Sequence, residues 1–383
     1  MRAMRRFTTT LFLLALGACA SSKSATPAAQ TAEVAAQAAP APPPPPIPED
    51  PLDLVAGDLS MVAHARVDVM KDKDAFAAVR RTLTRYGCVS AQDFDWLAGQ
   101  TQRALFLSRG SSEQPEFAVI LAGQFSDPDA PRALEMLGRR VGTGDAPTTR
   151  TQGRFTVQQK GPWSAIVLEN RFMIAGHDGF VGSTLDVIDH PPEARYAQSA
   201  IFKELGDHLG CLDRSLCALV SPDGNVAQRM KGELSGVGMK KVGRQIASSQ
   251  SGFTVAVGDG VVLAVGAHAQ SEDDAKELAK DTKDWLWQAG LVARLAGFPN
   301  VLGDAEVDTA GTFTDLKIKV GQGDLARLEQ RFDQMIGDDA AARCASPSAA
   351  AMSGSPTQSL ATAPHEAPLP VAEARTAGST QGS

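Results

Sequence analysis

The chain has 383 residues, 43% of them hydrophobic and 5% aromatic, with 37 Lys+Arg against 44 Asp+Glu and a formal net charge of −7. That excess of acid excludes the basic footprint of a nucleic-acid binder. It also excludes adhesion to anionic lipid by charge alone.

At the N-terminus, Arg2, Arg5 and Arg6 form a basic stretch with no acid near them. Phe7 to Leu16 follows as a short apolar core, diluted by Thr8, Thr9 and Thr10. As a helix this core rises about 15 Å, against a hydrocarbon layer of roughly 30 Å, so it does not span. A positive end, a short apolar middle and small residues next make a secretory signal over residues 1–18. Its removal takes away three arginines and no acid, which leaves the rest more acidic.

Leu16-Gly17-Ala18-Cys19 resembles the lipobox of bacterial lipoproteins. The resemblance implies a diacylglyceryl group on Cys19, cleavage just before it, and a membrane anchor through lipid. Several acyl chains, at about 0.8 kcal/mol per buried CH₂, hold a protein stably where one does not. Ala20 stands where Asp would retain a well-studied Gram-negative lipoprotein in the inner membrane, so the resemblance also implies the outer membrane. Which face of that membrane is left open.

Residues 19–53 read as a linker, rich in Ala, Ser, Thr and Gln before it stiffens into "PAPPPPPIPEDP". The proline run favours polyproline II, extended at about 3.1 Å per residue. Residues 344–383, rich in Pro, Ser, Thr and Ala without apolar periodicity, read as a disordered tail. Between them lie two expected halves, residues 54–192 and 193–343.

In the first half, "SMVAHARVDVM" (Ser60 to Met70) alternates apolar and polar residues and predicts a strand. Phe76, Val79, Leu83 and Tyr86 recur at helical spacing, with Gly87 placed as a C-terminal cap. "RALFLS" (Arg103 to Ser108) and "FAVILAGQF" (Phe117 to Phe125) predict two strands, and Asp127 to Arg140 a helix. "GRFTVQQ" and "SAIVLENRFMIAG" read as strands around the turn "KGPW" (Lys160 to Trp163), and Phe180 to Ile188 as a short helix.

The second half opens with a helix around Ala200 to Leu209 and the strand "SLCALVS" (Ser215 to Ser221). Asn225 to Ala247 is helical in pattern but interrupted by Gly232, Gly236, Gly238 and Gly243. Gly252 to Ala269 predicts a hairpin, with Gly258-Asp259-Gly260 supplying positive φ at its turn. A long helix from Glu272 towards Ala296, a hairpin over Ala305 to Val320 and a helix over Asp324 to Ile336 complete the series.

The clearest echo between halves is "SDPDAPRAL" (Ser126 to Leu134) against "SEDDAKELA" (Ser271 to Ala279). Each follows an apolar strand and opens a helix with a serine and acids, as helix N-termini favour. Hairpins outnumber long crossovers, so the expected class is α+β: mostly antiparallel sheet, helices on one face, two tandem related halves. In this pattern the mature chain resembles the uncharacterised envelope lipoproteins of high-GC Gram-negative bacteria. That resemblance implies an envelope location and no activity.

With Cys19 assigned to lipid, four cysteines remain: Cys88, Cys211, Cys217 and Cys344. In an oxidising compartment they permit two disulfides, in three connectivities. Cys211 with Cys217 is the nearest pair in sequence. A metal reading of His208, Cys211 and Cys217 lacks a fourth ligand.

Motifs for catalysis are sparse. "GHDGFVGST" (Gly176 to Thr184) joins a strand to a helix, as phosphate loops do. Its spacing is G-x-x-G-x-x-G, and His177 stands where the dinucleotide fingerprint needs glycine. With that mismatch and no acid at a strand end about twenty residues on, it reads as a structural turn that binds no nucleotide or other cofactor, and Gly179→Ala is expected to destabilise if that position needs positive φ. The histidines, His64, His177, His190, His208, His268 and His365, form no metal pair at helical spacing. Lys231, Lys240, Lys241 and Arg244 make a glycine-rich basic stretch that reads as a solvated helix or as a partner contact. Trp163 sits at a hairpin tip, packed in its turn or facing a partner; Trp285 and Trp287 point to different sides of the long helix.

The sequence therefore predicts a lipid-anchored envelope protein that binds or scaffolds an envelope protein partner and is not an enzyme. An envelope hydrolase with an unrecognised site is the alternative.

Overall fold

The computed structural model describes residues 44–331, apart from 56–58, 87–88, 112–113, 142–145, 193–195, 223, 237–238 and 296. Cys19, Cys88, Cys344, His365, the signal, most of the linker and the C-terminal tail lie outside the described residues.

The fold is α+β, built on one antiparallel sheet of twelve strands. In chain order the elements are β1 (Met61–Arg66), α1 (Asp74–Tyr86), α2 (Ala91–Gln100), β2 (Thr101–Gly110), β3 (Pro115–Gly123), α3 (Asp129–Val141), β4 (Thr148–Gln152), β5 (Phe155–Lys160), β6 (Trp163–Leu168), β7 (Phe172–His177) and α4 (Asp178–Asp189). A run of short helical turns over 196–213 leads to β8 (Leu216–Val220), α5 (Asn225–Gly236), α6 (Lys240–Ser248), β9 (Gln250–Val257), β10 (Gly260–His268), α7 (Glu272–Leu295), β11 (Glu306–Ala310) and β12 (Phe313–Gly321). A last helix, α8, covers residues 322–331.

The sheet order is β11-β12-β10-β9-β8-β1-β2-β3-β7-β6-β5-β4. From the central pair β1–β8 the chain threads outward in matching order: β1-β2-β3-β7-β6 on one side and β8-β9-β10-β12-β11 on the other. The hairpin β4–β5 extends the first side alone. Helices α3 and α7 follow corresponding strands and open alike. Ser126 Oγ donates to Asp129 at 2.9 Å, and Ser271 Oγ donates to Asp274 at 2.7 Å. Both keep a carboxylate in the first turn, where unsatisfied N–H groups favour it.

Adjacent residues of a strand face opposite sides, and the cores divide accordingly. Ile120 and Ile174 join Phe180, Leu185 and Ile188 of α4 in the largest core. Their neighbours Leu121 and Met173 join Ala130, Ala133 and Leu134 of α3 in another. Further clusters set α5, α6 and α7 against the sheet through Ala227, Val242 and Leu278. Helices thus take both faces, not one. A strand buried on both sides carries no simple alternation, which is why "FAVILAGQF" and "FMIAG" read as continuous apolar runs.

Other boundaries depart from the sequence reading. The strand from Ser60 ends at Arg66, and Val67–Met70 turns into helix. "SAIVLENRFMIAG" is two strands, β6 and β7, divided at Glu169 and Asn170, both at positive φ. The stretch Asn225 to Ala247 is two helices, and Gly243 lets α6 approach Lys231 O and Leu234 of α5. Gly258 and Gly260 take no positive φ. Gly260 answers a different need: a Cβ there would lie 2.5 Å from Val320 O on the paired strand.

Candidate functional site

Among the described residues an open groove lies between α7 and β11, with a volume of about 460 Å³. Lys276, Lys280, Lys283 and Asp284 form one wall; Val307, Asp308 and Thr309 form the other, and Ala279 lies between. Strand β11 ends the sheet, so among the described residues no strand pairs its outer edge. Such an edge presents a row of backbone N–H and C=O groups.

Helix α7 is held from below. Ala275, Leu278, Ala279, Thr282, Leu286 and Gly290 are buried, and Thr314 Oγ1 of β12 donates to Ala275 O at 2.8 Å. Trp285 packs partly into the clusters beneath. The opposite face differs along its length. Its first turns carry charge, while its last two expose Trp287 (70%), Leu291 (43%), Val292 (51%) and Leu295 (82%). Trp287, Leu291 and Leu295 recur at i, i+4 and i+8, so they form one line along the helix. The line continues the row of Lys276, Lys280 and Lys283.

The basic stretch around α5 and α6 packs through its apolar and glycine positions and leaves Lys240, Lys241 and Arg244 exposed. Val242 and Gly243 are buried, and Lys241 meets Glu277 of α7 at 3.6 Å. Trp163 is 1% exposed, stacked near Phe117 and His177 inside the core of α3. It is turn packing and no partner contact.

The loop from Gly176 to Thr184 is closed as well. Asp178, the first residue of α4, accepts from Arg150 at 2.5 Å and from Ser164. Arg109 binds Glu116 and Ser183, both at 2.7 Å, and stacks on Phe180 at 4.3 Å. Asp178 and Glu116 are thus each held by an arginine beside the loop. His177 Nδ1 accepts from Phe117 N–H at 3.0 Å, and burial lowers its pKa. Gly179 takes no positive φ, because it lies inside the first turn of α4, so the condition for destabilisation by alanine is not met.

Cys211 and Cys217 are joined by a disulfide, their Cα atoms 5.2 Å apart. The bond ties the 196–213 segment to β8 beneath the main core. His208 belongs to another contact: Nε2 meets Asp315 at 2.8 Å, and its ring stacks on Phe313. His268 stacks on Phe313 too and meets Glu204 at 3.2 Å. These pairs dock the segment onto β10 and β12.

His64, on central β1, is 6% exposed. Its Nε2 accepts from Arg103 Nε at 3.3 Å, which requires an unprotonated nitrogen. Burial, helped by Arg103, lowers its pKa to about 4, while Asp50 opposes the shift. The unfolded chain therefore takes up this proton first. The stabilisation is complete above about pH 6.5 and is lost as pH falls towards 4. Allowing for partial solvent screening, the loss is about 2 kcal/mol. Urea titrations at pH 7.5 and 4.5 should show that much more destabilisation in the native chain than in His64→Gln. Equal losses in both would refute it.

Among the described residues no helix is long and apolar enough to cross a membrane. No protein-family model matches the chain. No curated protein matches it. Among solved structures, three crystal forms of TP0453 are similar at 10% identity and a TM-score of 0.41. Form III covers 74% of this chain and 98% of that one, form IV 73% and 95%, and form I 75% and 97%. At that distance nothing about TP0453 passes to this chain.

Proposed function

We propose that this is a lipid-anchored envelope protein that acts by binding, without catalysis, and that the surface of α7 beside β11 is where it binds. The observation that carries the reading is the line of Trp287, Leu291 and Leu295 left exposed on α7, the helix whose earlier turns pack against the terminal strand β11. Isolated apolar residues on a surface need no explanation, but a contiguous patch on one helix marks an interaction site. The lipobox at Leu16 to Cys19 supports the anchor, and the Cys211–Cys217 bond suits an oxidising compartment.

Two measurements test the two parts. Cys19→Ser should abolish lipid labelling and release the chain from membranes; partition that survives a salt wash would refute the anchor. A photo-crosslinker at position 287 should give a discrete adduct with an envelope protein. The same group at Leu212, half-exposed on the opposite side of the sheet, should not. No adduct from 287, or identical adducts from both, would refute the site.

A further inference from the structure

We infer that the α7–β11 groove takes an extended acidic segment of a partner protein, which adds as a thirteenth strand to the sheet beside β11. The inference rests on the binding reading above and names the chemistry of its partner.

Charge comes first. Lys276 is engaged within α7 by Glu272 and Asp273, at 3.8 and 3.6 Å. Lys280 and Lys283 meet no acid within ion-pair reach among the described residues, although both line the groove. Asp308 does not offset them. Val307 is buried beneath α7, and the next residue along a strand points to the other face. On the helix wall three lysines thus stand against Asp284 alone, so an approaching segment meets an excess of positive charge there.

Register comes second. Thr314, just past the β11–β12 turn, bonds Ala275 near the start of α7, while Leu302, just before β11, lies 3.8 Å from the Cβ position of Gly290. Helix and strand therefore run antiparallel, and a strand added antiparallel to β11 runs along α7 in the same direction. Every second residue of that strand faces the helix at a spacing of roughly 7 Å. Successive turns of the helix repeat at roughly 5–6 Å. The two ladders drift apart by about 1–2 Å per position, an offset that the long lysine side chains can span along the row Lys276, Lys280, Lys283 and Trp287. The segment that fits has acids at three alternate positions and an apolar residue at the next.

A second copy of this chain fits less well. Antiparallel pairing of β11 with its own copy would continue the sheet with both α7 helices on one side. Lys280 and Lys283 would then face their counterparts across the seam, and like charges in apposition oppose association. Strand addition gives affinity through main-chain hydrogen bonds and selectivity through alternate side chains.

The probe is a fluorescein-labelled octapeptide with glutamate at its first, third and fifth positions, leucine at the seventh and threonine elsewhere. It is titrated into the full-length chain in detergent and followed by anisotropy. It should bind saturably, weaken with salt, and lose at least tenfold in affinity on Lys280→Glu/Lys283→Glu. N-methylation of alternate backbone nitrogens should abolish binding, as should lysine in place of glutamate. No saturable binding, equal binding by the lysine peptide or the N-methylated one, or affinity unchanged by the double reversal would each overturn the inference. Crosslinking from position 287 separates this from the reading beneath it. Envelope adducts that persist in the double-reversal chain overturn strand addition and leave the binding function standing.

Discussion

Phe180→Ala should lower the stability of the folded domain by about 3–5 kcal/mol, the cost of truncating a fully buried aromatic. The ring is 0% exposed and sits in the largest core, where α4 crosses β3 and β7. The Arg109 guanidinium lies 4.3 Å from its centre, so truncation also strips a cation–π partner from a half-buried charge. The core cannot collapse readily around the loss. Ile120 and Ile174 belong to strands β3 and β7, each paired on both sides. The matching control is Trp287→Ala. It removes a larger ring that is 70% exposed, and should change stability by less than about 0.5 kcal/mol. Urea midpoints with unchanged slopes separate the two. If Phe180→Ala costs no more than Trp287→Ala, the packing of α4 described above is wrong.

That contrast shows where sequence reasoning reaches and where it stops. Helix α7 was legible throughout: the Ser271 cap, the acids of the first turn and the apolar spacing all agree. Which side of it is buried was not legible. Leu278 and Leu286 recur at helical spacing, and so do Trp287, Leu291 and Leu295, so the sequence offers two apolar faces and only the sheet chooses. Helix α2 was missed although "AQDFDWLAGQ" carries Phe94, Trp96 and Leu97. Its signal was the cap: Ser90 Oγ accepts from Asp93 N–H at 3.0 Å and donates to the Asp93 carboxylate at 2.7 Å. Strand β4, "TTRTQ", carries no apolar residue and exists because β5 offers it a hydrogen-bonding edge. The burial of Trp163 was hidden for a similar reason, since Phe117 comes from β3, far along the chain, and His177 faces it only through the β6–β7 pairing. The groove itself joins a helix to a strand that the sheet order alone makes terminal. Neither that order nor the faces of α3 and α4 follow from local pattern.

Gly176→Val should cost about 3 kcal/mol, the upper part of the range for overfilling a packed core, whereas Gly179→Ala should cost nothing. Both residues belong to the stretch that looked most like a phosphate loop. A Cβ at position 176 would lie 2.5 Å from Ala118 Cα and 2.5 Å from Phe117 O. Those are backbone atoms of β3, paired with β7 in the interior of the sheet, and they have nowhere to go. A branched side chain adds two further carbons to that collision. At position 179 the nearest atoms to a Cβ are Glu116 Oε1 at 3.7 Å and Arg109 Nη2 at 3.8 Å, which is ordinary contact. The backbone there is helical, so alanine should stabilise by up to about 1 kcal/mol through propensity. A loop built to admit phosphate would show the reverse. Its glycine at the helix N-terminus would be the sensitive one, because a ligand must approach its N–H. Here the Glu116 carboxylate and the Arg109 guanidinium that pairs with it stand beside Gly179. Thermal melts of the two variants, each with and without millimolar ATP or NAD, decide the matter. Destabilisation by Gly179→Ala, together with a saturable rise in the native melting temperature on adding nucleotide, would mean a ligand bound to the folded state. That result would restore the enzyme reading.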